Sequence, residues 1–429
     1  MMAKKLKSIR YSFMIILQEK TKIRSGYRMP LDFNFIENLI GLQDINVTFV
    51  NVNNGVVEIY AESKADSVIC PKCNKITYKV HDYRVQSYEH LPICGKPTII
   101  HLKICRYVCE CDLNHPFDET FEFIRKYQPH TIPFEKFIFK LTCKNTIKNV
   151  AELLGFSDNK VQRIFNYYAK IKIDTKKMES LIFLGIDDIS KSKGHSYYTV
   201  IYNHETGDVV ALIDGRTKET VVKYITDNFT KEQRESVLAV SLDMSKTYAA
   251  AVLECFPNAA PVIDRFHISQ ALHVAADEAR KHIQNKIRKE DGNKKKVFGI
   301  RWAFLKNHED LKAEEEQLLE QVCSEYPMLR TCYELKEDFK NFFEITNIDE
   351  ANVYIDYFSV LVAESQIPEL QSFCKTLNNW REYILNYYYF FISNGPTEGR
   401  NHKLKNIKRR GYGYRNIDNF RLRICSECA

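Results

Sequence analysis

Apolar and polar positions alternate along INVTFVNVNNGVVEIYAES, Ile45 to Ser63, around Asn53-Asn54-Gly55. Period-two alternation interrupted by Asn-Gly predicts a β-hairpin, because strand side chains point alternately to two faces and glycine accepts the backbone of a tight turn. From Pro133 to about Lys170 the apolar spacing becomes helical. It changes again at Leu181. LIFLGIDDI is an apolar run ending in acids, and SYYTVIYN and DVVALIDG read as the next two strands, joined around Glu205-Thr206-Gly207. KETVVKYITDNF follows as a helix, VLAVSLD as a strand, KTYAAAVLECF as a helix and APVIDRF as a strand. Three strands in hairpin order and then helix–strand–helix–strand describe a mixed sheet with helices on its faces. From Ser269 to about Tyr389 the pattern is helical and rich in Lys and Glu, with a charged loop from Lys289 to Lys296.

The chain of 429 residues is long enough for several domains. Its 45% hydrophobic and 27% charged residues are ordinary for a globular protein, and the net charge of +7 permits a polyanionic partner without proving one. No apolar run is long enough to span a membrane, and no secretory peptide is present, so a cytoplasmic, reducing environment is expected. Met29 begins MPLDFNFIENLIGL, a helical entry to a compact domain; residues 1–28 are either a basic arm or translation from an upstream start, leaving Met1 and Met29 open as the start.

Of the 13 cysteines, only those between Cys70 and Cys111 are grouped as metal ligands are. Cys70-Pro-Lys-Cys73 is a C-x-x-C pair; Cys109-Glu-Cys111 and His115 lie beyond a linker containing strand-like residues 98–102. Two such pairs on a hairpin can converge tetrahedrally on a structural zinc, with Cys105, Cys111 and His115 competing for the fourth position.

Thr146 to Phe165 fits two short helices joined by a turn: Val150, Leu153 and Leu154 form one apolar face, Gly155 supplies the turn, and Ser157 or Asp158 caps the second helix. Val161 and Ile164 pack that helix back and leave Asn159, Lys160, Gln162 and Arg163 outward, residue types suited to bases and phosphates.

Asp187 and Asp243 each close a buried strand, and neighbouring strands bring such ends together. Carboxylates held this way bind hard divalent cations such as Mg²⁺. Asp188 is the alternative to Asp187, although strand alternation points the two apart. A third acid is Glu398, with Thr397 as the expected helix cap; Asn401, Lys405 and Arg409 follow at helical spacing, a basic stripe on the same face.

GIDDIS, KGHSYYTV, DGR, SLDMSKTYAAAVLECFPNA, VIDRFHI and SNGPTEGRNHKLKNIKRRGYGYRN, in this order, resemble the DDE transposases of bacterial insertion sequences, ISL3 group. The resemblance runs from about Met29 to the C-terminus. It implies an α/β protein with a ribonuclease-H-like mixed-sheet catalytic core (179–268 and 393–429), a helical insertion domain (269–392), a zinc-binding domain (29–125) and a helix-turn-helix (126–178). It implies Mg²⁺ or Mn²⁺ at Asp187, Asp243 and Glu398, and structural zinc at Cys70, Cys73, Cys109 and Cys111. The family's usual strand-end pair is Asp-Glu, whereas here it is Asp187-Asp188, and the second cysteine pair is compressed. Asp264 is either an accessory acid or the residue that holds Arg265 and His267. The implied reaction is hydrolysis at a transposon end followed by strand transfer, with Arg400, Asn401, Lys403, Lys405, Lys408, Arg409 and Arg410 binding phosphates near the cut. The expected partners are the terminal inverted repeats, target DNA and a second copy of the chain, in a bacterial cytoplasm at the nucleoid. Two rival readings are an inactive zinc and helix-turn-helix regulator, and a nuclease or resolvase without transposition.

Overall fold

The structure, a computed structural model, describes residues 33–176, 181–191, 196–291, 299–393, 395–414 and 416–428. The basic arm 1–28 and most of the charged loop after Lys289 lie outside them. Contacts divide the chain into two compact units, one ending at Phe137 and the other beginning at Ile138.

The first unit opens with the helix Phe33–Ile40. The predicted hairpin is β1 (Ile45–Asn53) and β2 (Val56–Ser63), antiparallel, with Asn54 at φ 47 and Gly55 at φ 79. These left-handed angles are what an Asn-Gly turn accepts at little steric cost. A small antiparallel pair, β3 (Val68–Ile69) and β4 (Ile76–Thr77), precedes the long hairpin of β5 (Val80–Ile93) and β6 (Lys96–Cys109). The five-residue strand signal at 98–102 is thus the centre of a 14-residue strand. β7 (Asp112–Asp118) adds to β6, and the sheet order is β1-β2-β6-β5 with β7 on β6. Ile45, Ile59, Ile100 and Leu102 are fully buried at its core.

In the second unit the helices Ile147–Leu154 and Asp158–Lys176 lead to a five-stranded sheet. Its strands are β8 (Phe183–Ser190), β9 (Tyr197–Asn203), β10 (Val209–Asp214), β11 (Ala239–Leu242) and β12 (Ala260–Ile263), in the order β10-β9-β8-β11-β12. β8, β9 and β10 pair antiparallel, and β8, β11 and β12 pair parallel. The expected mixed sheet is therefore present, with helices Lys218–Asn228 and Lys246–Cys255 as its crossovers.

Leu184, Ile186, Val240, Leu242 and Ile263 face one side of the sheet, and their apolar cluster continues without a break into the all-helical region, through Phe304, Phe339 and Phe358. Val200, Tyr202 and Leu212 face the other side, against Leu404 and Ile407 of the helix Gly395–Arg410 and Phe420 and Ile424 of the helix Ile417–Glu427. Opposite faces of one sheet are thus covered by segments distant in sequence. Among the described residues no helix is long and apolar enough to cross a membrane.

Candidate functional site

Two hairpin turns deliver the cysteines. Cys70 and Cys73 sit on the turn between β3 and β4, where Cys70 N–H donates to Lys75 O at 2.8 Å and Asn74 N–H donates to Cys70 O at 2.9 Å. Cys109 ends β6 and Cys111 lies on the turn to β7. Their sulfurs lie within 4.8 Å of one another, with Cys70–Cys111 and Cys73–Cys109 both at 3.6 Å. A tetrahedron built on Zn–S bonds of about 2.3 Å has S···S edges of about 3.8 Å, so the donor set and its spacing fit zinc.

The N–H groups of Cys73 and Lys72 pull the Cys70 thiol down to about 7. The hydrogen-bonded neighbour Cys73, with burial, pushes Cys111 up to about 12. A thiol held down as Cys70 is gives up its proton readily to a cation. The fourth position goes to Cys111. Cys105 is inside β6, opposite Tyr83, and the exposed His115 pairs with Asp112 at 2.8 Å.

The helix pair begins at Thr146, whose hydroxyl accepts from Asn149 N–H at 3.1 Å, and turns at Gly155, φ 67. Ser157 is the cap of the second helix, its Oγ accepting from Lys160 N–H at 3.3 Å. That helix, Asp158–Lys176, is longer than the short helix expected. Val150, Val161 and Ile164 are buried as expected, but Leu153 is 70% exposed. At about 100° per residue, the face set by Val150, Ala151 and Leu154 turns position 153 outward. Asn159 and Arg163 are exposed. Lys160 lies over the Phe156 ring at 3.5 Å, and Gln162 donates to Asn166 at 2.7 Å.

Asp243 and Asp264 directly follow β11 and β12, whereas Asp187 does not close its strand as expected: β8 runs on to Ser190 because β9 keeps pairing with it past Asp187. Ser241 pairs with Gly185, and Leu242 with Ile263. Carrying these offsets forward sets Asp187, Asp243 and Asp264 level, about 4.8 Å from strand to strand. Asp264 N–H donates to Leu242 O at 3.2 Å, which keeps this register past the end of β12.

Asp187 and its neighbour Asp188 point to opposite faces. Asp187 Oδ2 accepts from Asn401 Nδ2 at 2.6 Å, on the side of the helix Gly395–Arg410. Asp188 Oδ1 accepts from the Tyr248 hydroxyl on the other side, with Arg216 at 3.9 Å. Burial pushes the Asp188 carboxyl up, against the pull of that hydrogen bond. Burial also pushes Asp243 up, reinforced by the charges of Asp188 and Asp187 and opposed by His267. Asp243 Oδ1 is buried without a hydrogen-bond partner among the described residues. A buried carboxylate oxygen left in this state is costly unless a cation completes it, which fits a divalent ion.

Asp264 is 1% exposed and lies 3.3 Å from Ser393 Oγ. Arg265 stacks over Tyr387 at 4.1 Å, and His267 lines a groove of about 630 Å³ with Asp243 and Gln270.

Helix Gly395–Arg410 starts before Thr397, so Thr397 lies inside the helix and is not its cap; Gly395-Pro396 opens it, proline being favoured in a first turn. Glu398 belongs to that first turn, and its side chain lies outside the described residues. Several of the basic side chains have intramolecular partners. Lys403 donates to Glu427 O at 2.9 Å, Lys408 to Ser190 O at 3.0 Å, and Arg410 forms a two-bond ion pair with Glu427 at 2.6 Å. Arg400 packs on Gly207, where a Cβ would stand 2.7 Å from the guanidinium. Lys405 and Arg409 are exposed. Sequence reasoning did not find Tyr202 and Tyr248, the two tyrosines that brace this site from within the sheet and from helix Lys246–Cys255.

Level carboxylates of this kind are a donor set suited to hard divalent cations, and the chain also carries a four-cysteine cluster and a helix pair joined by a tight turn. A family model described as "Transposase", for the ISL3 family, matches residues 184–424. Models described as zinc-finger of transposase IS204/IS1001/IS1096/IS1165 and helix-turn-helix domain of transposase family ISL3 match residues 66–111 and 119–169. The chain belongs to the ISL3 family of transposases. It is 24% identical over 398 residues to the transposase for insertion sequence element IS1001 of Bordetella parapertussis, covering 92% of this chain and 98% of that protein. It is also 24% identical over 330 residues to the transposase for insertion sequence element IS1557 of Mycobacterium tuberculosis, covering 71% and 73%.

Proposed function

We propose that this chain is a DDE transposase with a ribonuclease-H-like core, which binds the terminal inverted repeats of an insertion sequence and cuts and rejoins DNA. The observation that carries this reading is the level placement of Asp187 and Asp243, with a buried Asp243 oxygen lacking a partner and the Glu398 helix tied to Asp187 through Asn401. In this reading Asp187, Asp243 and Glu398 would hold divalent Mg²⁺ or Mn²⁺, which would supply Lewis-acid activation of the attacking oxygen and charge stabilisation at the leaving one.

The chain's own residues orient the DNA. Lys405 and Arg409 project from the helix that carries Glu398 and attract phosphates. Asn159 and Arg163 present donors to a major groove, and the zinc ribbon of Cys70, Cys73, Cys109 and Cys111 steadies a second DNA contact. Water attacks the phosphorus at the transposon end and the P–O3′ bond breaks, releasing a 3′-hydroxyl. That hydroxyl then attacks a target phosphodiester in line, forming a new P–O3′ bond and releasing a target 3′-hydroxyl. Bringing two ends together requires a pair of chains.

Glu398→Gln and Asp243→Asn are expected to lower cleavage of end DNA by about 10³-fold or more, the loss of several kcal/mol of charge stabilisation. End binding in a gel-shift assay should persist. Full cleavage by Glu398→Gln in Mg²⁺ rejects the triad. End-specific binding by the unaltered chain without any cleavage supports the inactive-regulator reading instead.

A further inference from the structure

Resting on Asp187 as a cation ligand, we propose that Asn401, locked by Tyr202, is the positioning residue that fixes the Asp187 carboxylate for metal binding. Asp187 is held at both oxygens. Its Oδ1 accepts the backbone N–H of Asp188 at 2.7 Å, and its Oδ2 accepts Asn401 Nδ2 at 2.6 Å. The far side of the same amide, Asn401 Oδ1, accepts the Tyr202 hydroxyl.

Chemistry sets the direction of this relay. An ionised carboxylate only accepts, so the amide must turn its NH₂ towards Asp187. Its carbonyl then faces Tyr202, whose hydroxyl is the donor that carbonyl needs. A flipped amide would set oxygen against oxygen at Asp187. Tyr202 is fully buried and lies on β9 opposite Gly185, two residues before Asp187 on the neighbouring strand.

Each Asp187 oxygen spends one lone pair on a donor and keeps another for a cation. Hydrogen bonds of this kind orient metal ligands, and losing one weakens metal affinity about 10- to 100-fold. Asn401 also lies three residues after Glu398 on one helix, hence on nearly the same face. A single amide therefore ties the strand of the first acid to the helix of the third, across 214 residues of sequence. Asn401 is consequently engaged in the protein interior, not with phosphate as its sequence context suggests.

The test uses the full chain without DNA, with Mn²⁺ as probe and the free-ion electron paramagnetic resonance signal as readout. Tyr202→Phe keeps the ring and removes the hydroxyl, and Asn401→Leu keeps the volume and removes both hydrogen bonds. Each is expected to raise the Mn²⁺ dissociation constant about tenfold or more. Each should also shift the Mg²⁺ dependence of end cleavage to higher concentration, with the rate at saturating Mg²⁺ largely recovered. Leu153→Ala, at an exposed position of the helix pair, should leave Mn²⁺ affinity unchanged. Unchanged Mn²⁺ affinity in both relay variants, with or without a lower melting temperature, overturns the relay and leaves the Asp187 assignment standing. Unchanged Mn²⁺ affinity in Asp187→Asn overturns the assignment itself and the relay with it. If Tyr202→Phe fails to fold, Asn401→Leu decides alone.

Discussion

The cysteine cluster draws its ligands from positions 70 to 111, on two turns of one sheet, whereas the acids stand at 187 and 243 and on a helix that begins only at Gly395. The first site is built by local chain geometry: each pair is set by a hairpin, and the hairpins are joined by β5 and β6. The second is built by topology, since β8 and β11 become neighbours only after the sheet has formed. A local site can hold four donors at tetrahedral spacing before the rest of the chain is in place. A topological site needs braces from elsewhere, and here these are Asn401 on one face and Tyr248 on the other.

Breaking one site should leave the other intact. Cys73→Ser is expected to have the largest effect on the first unit. A structural zinc supplies folding free energy directly, so loss of one thiolate should release metal by elemental analysis and cost on the order of several kcal/mol of that unit's stability. Mn²⁺ binding at the acids should be unchanged, and a coupled loss at both sites would contradict their independence.

Acid should weaken both units alike. His90, hydrogen-bonded to Thr131 and Ile40 O, and His204, bonded to Ser241 at 2.6 Å, are each held down to about 4 by burial. A depressed folded value means the unfolded chain takes up the proton first. The stabilisation is present above pH 6.5 and is lost as pH falls towards 4, about 3 kcal/mol per histidine at pH 4. Denaturant melts of the wild type and of His90→Gln and His204→Gln between pH 7 and 4 measure this. An equally steep loss in the variants refutes it.

The smallest effect separates a cap from a bystander. Thr146→Ala should cost about 1 kcal/mol by loss of the cap. Leu153→Ala, on an exposed position, should change stability by about 0.5 kcal/mol or less in the same melts.

This difference in assembly also decides what was readable. Asp187 and Asp243 were legible because apolar runs stop at acids, although β8 continues past Asp187 to Ser190, and the cysteines were legible because ligand spacing is local. Leu153 was misread because three apolar positions in five residues fit more than one helical face. The start of the last long helix was misplaced because Thr397 looks like a cap, yet Gly395-Pro396 already fits a first turn. Amid Lys and Arg the Asn401 amide resembles a nucleic-acid contact, and nothing in that context points to the bond it makes to Asp187. That intramolecular partner lies 214 residues upstream, beyond the reach of periodicity or spacing.

The hydrogen bond between Ser393 and Asp264 joins residues 129 positions apart at 3.3 Å. The long helical excursion therefore departs from and returns to one spot at the sheet's edge, like a loop drawn shut at its neck. Because the cost of closing a loop rises only slowly with its length, relatives can lengthen or trim the far end of this excursion without pulling the strand ends and the last long helix out of alignment.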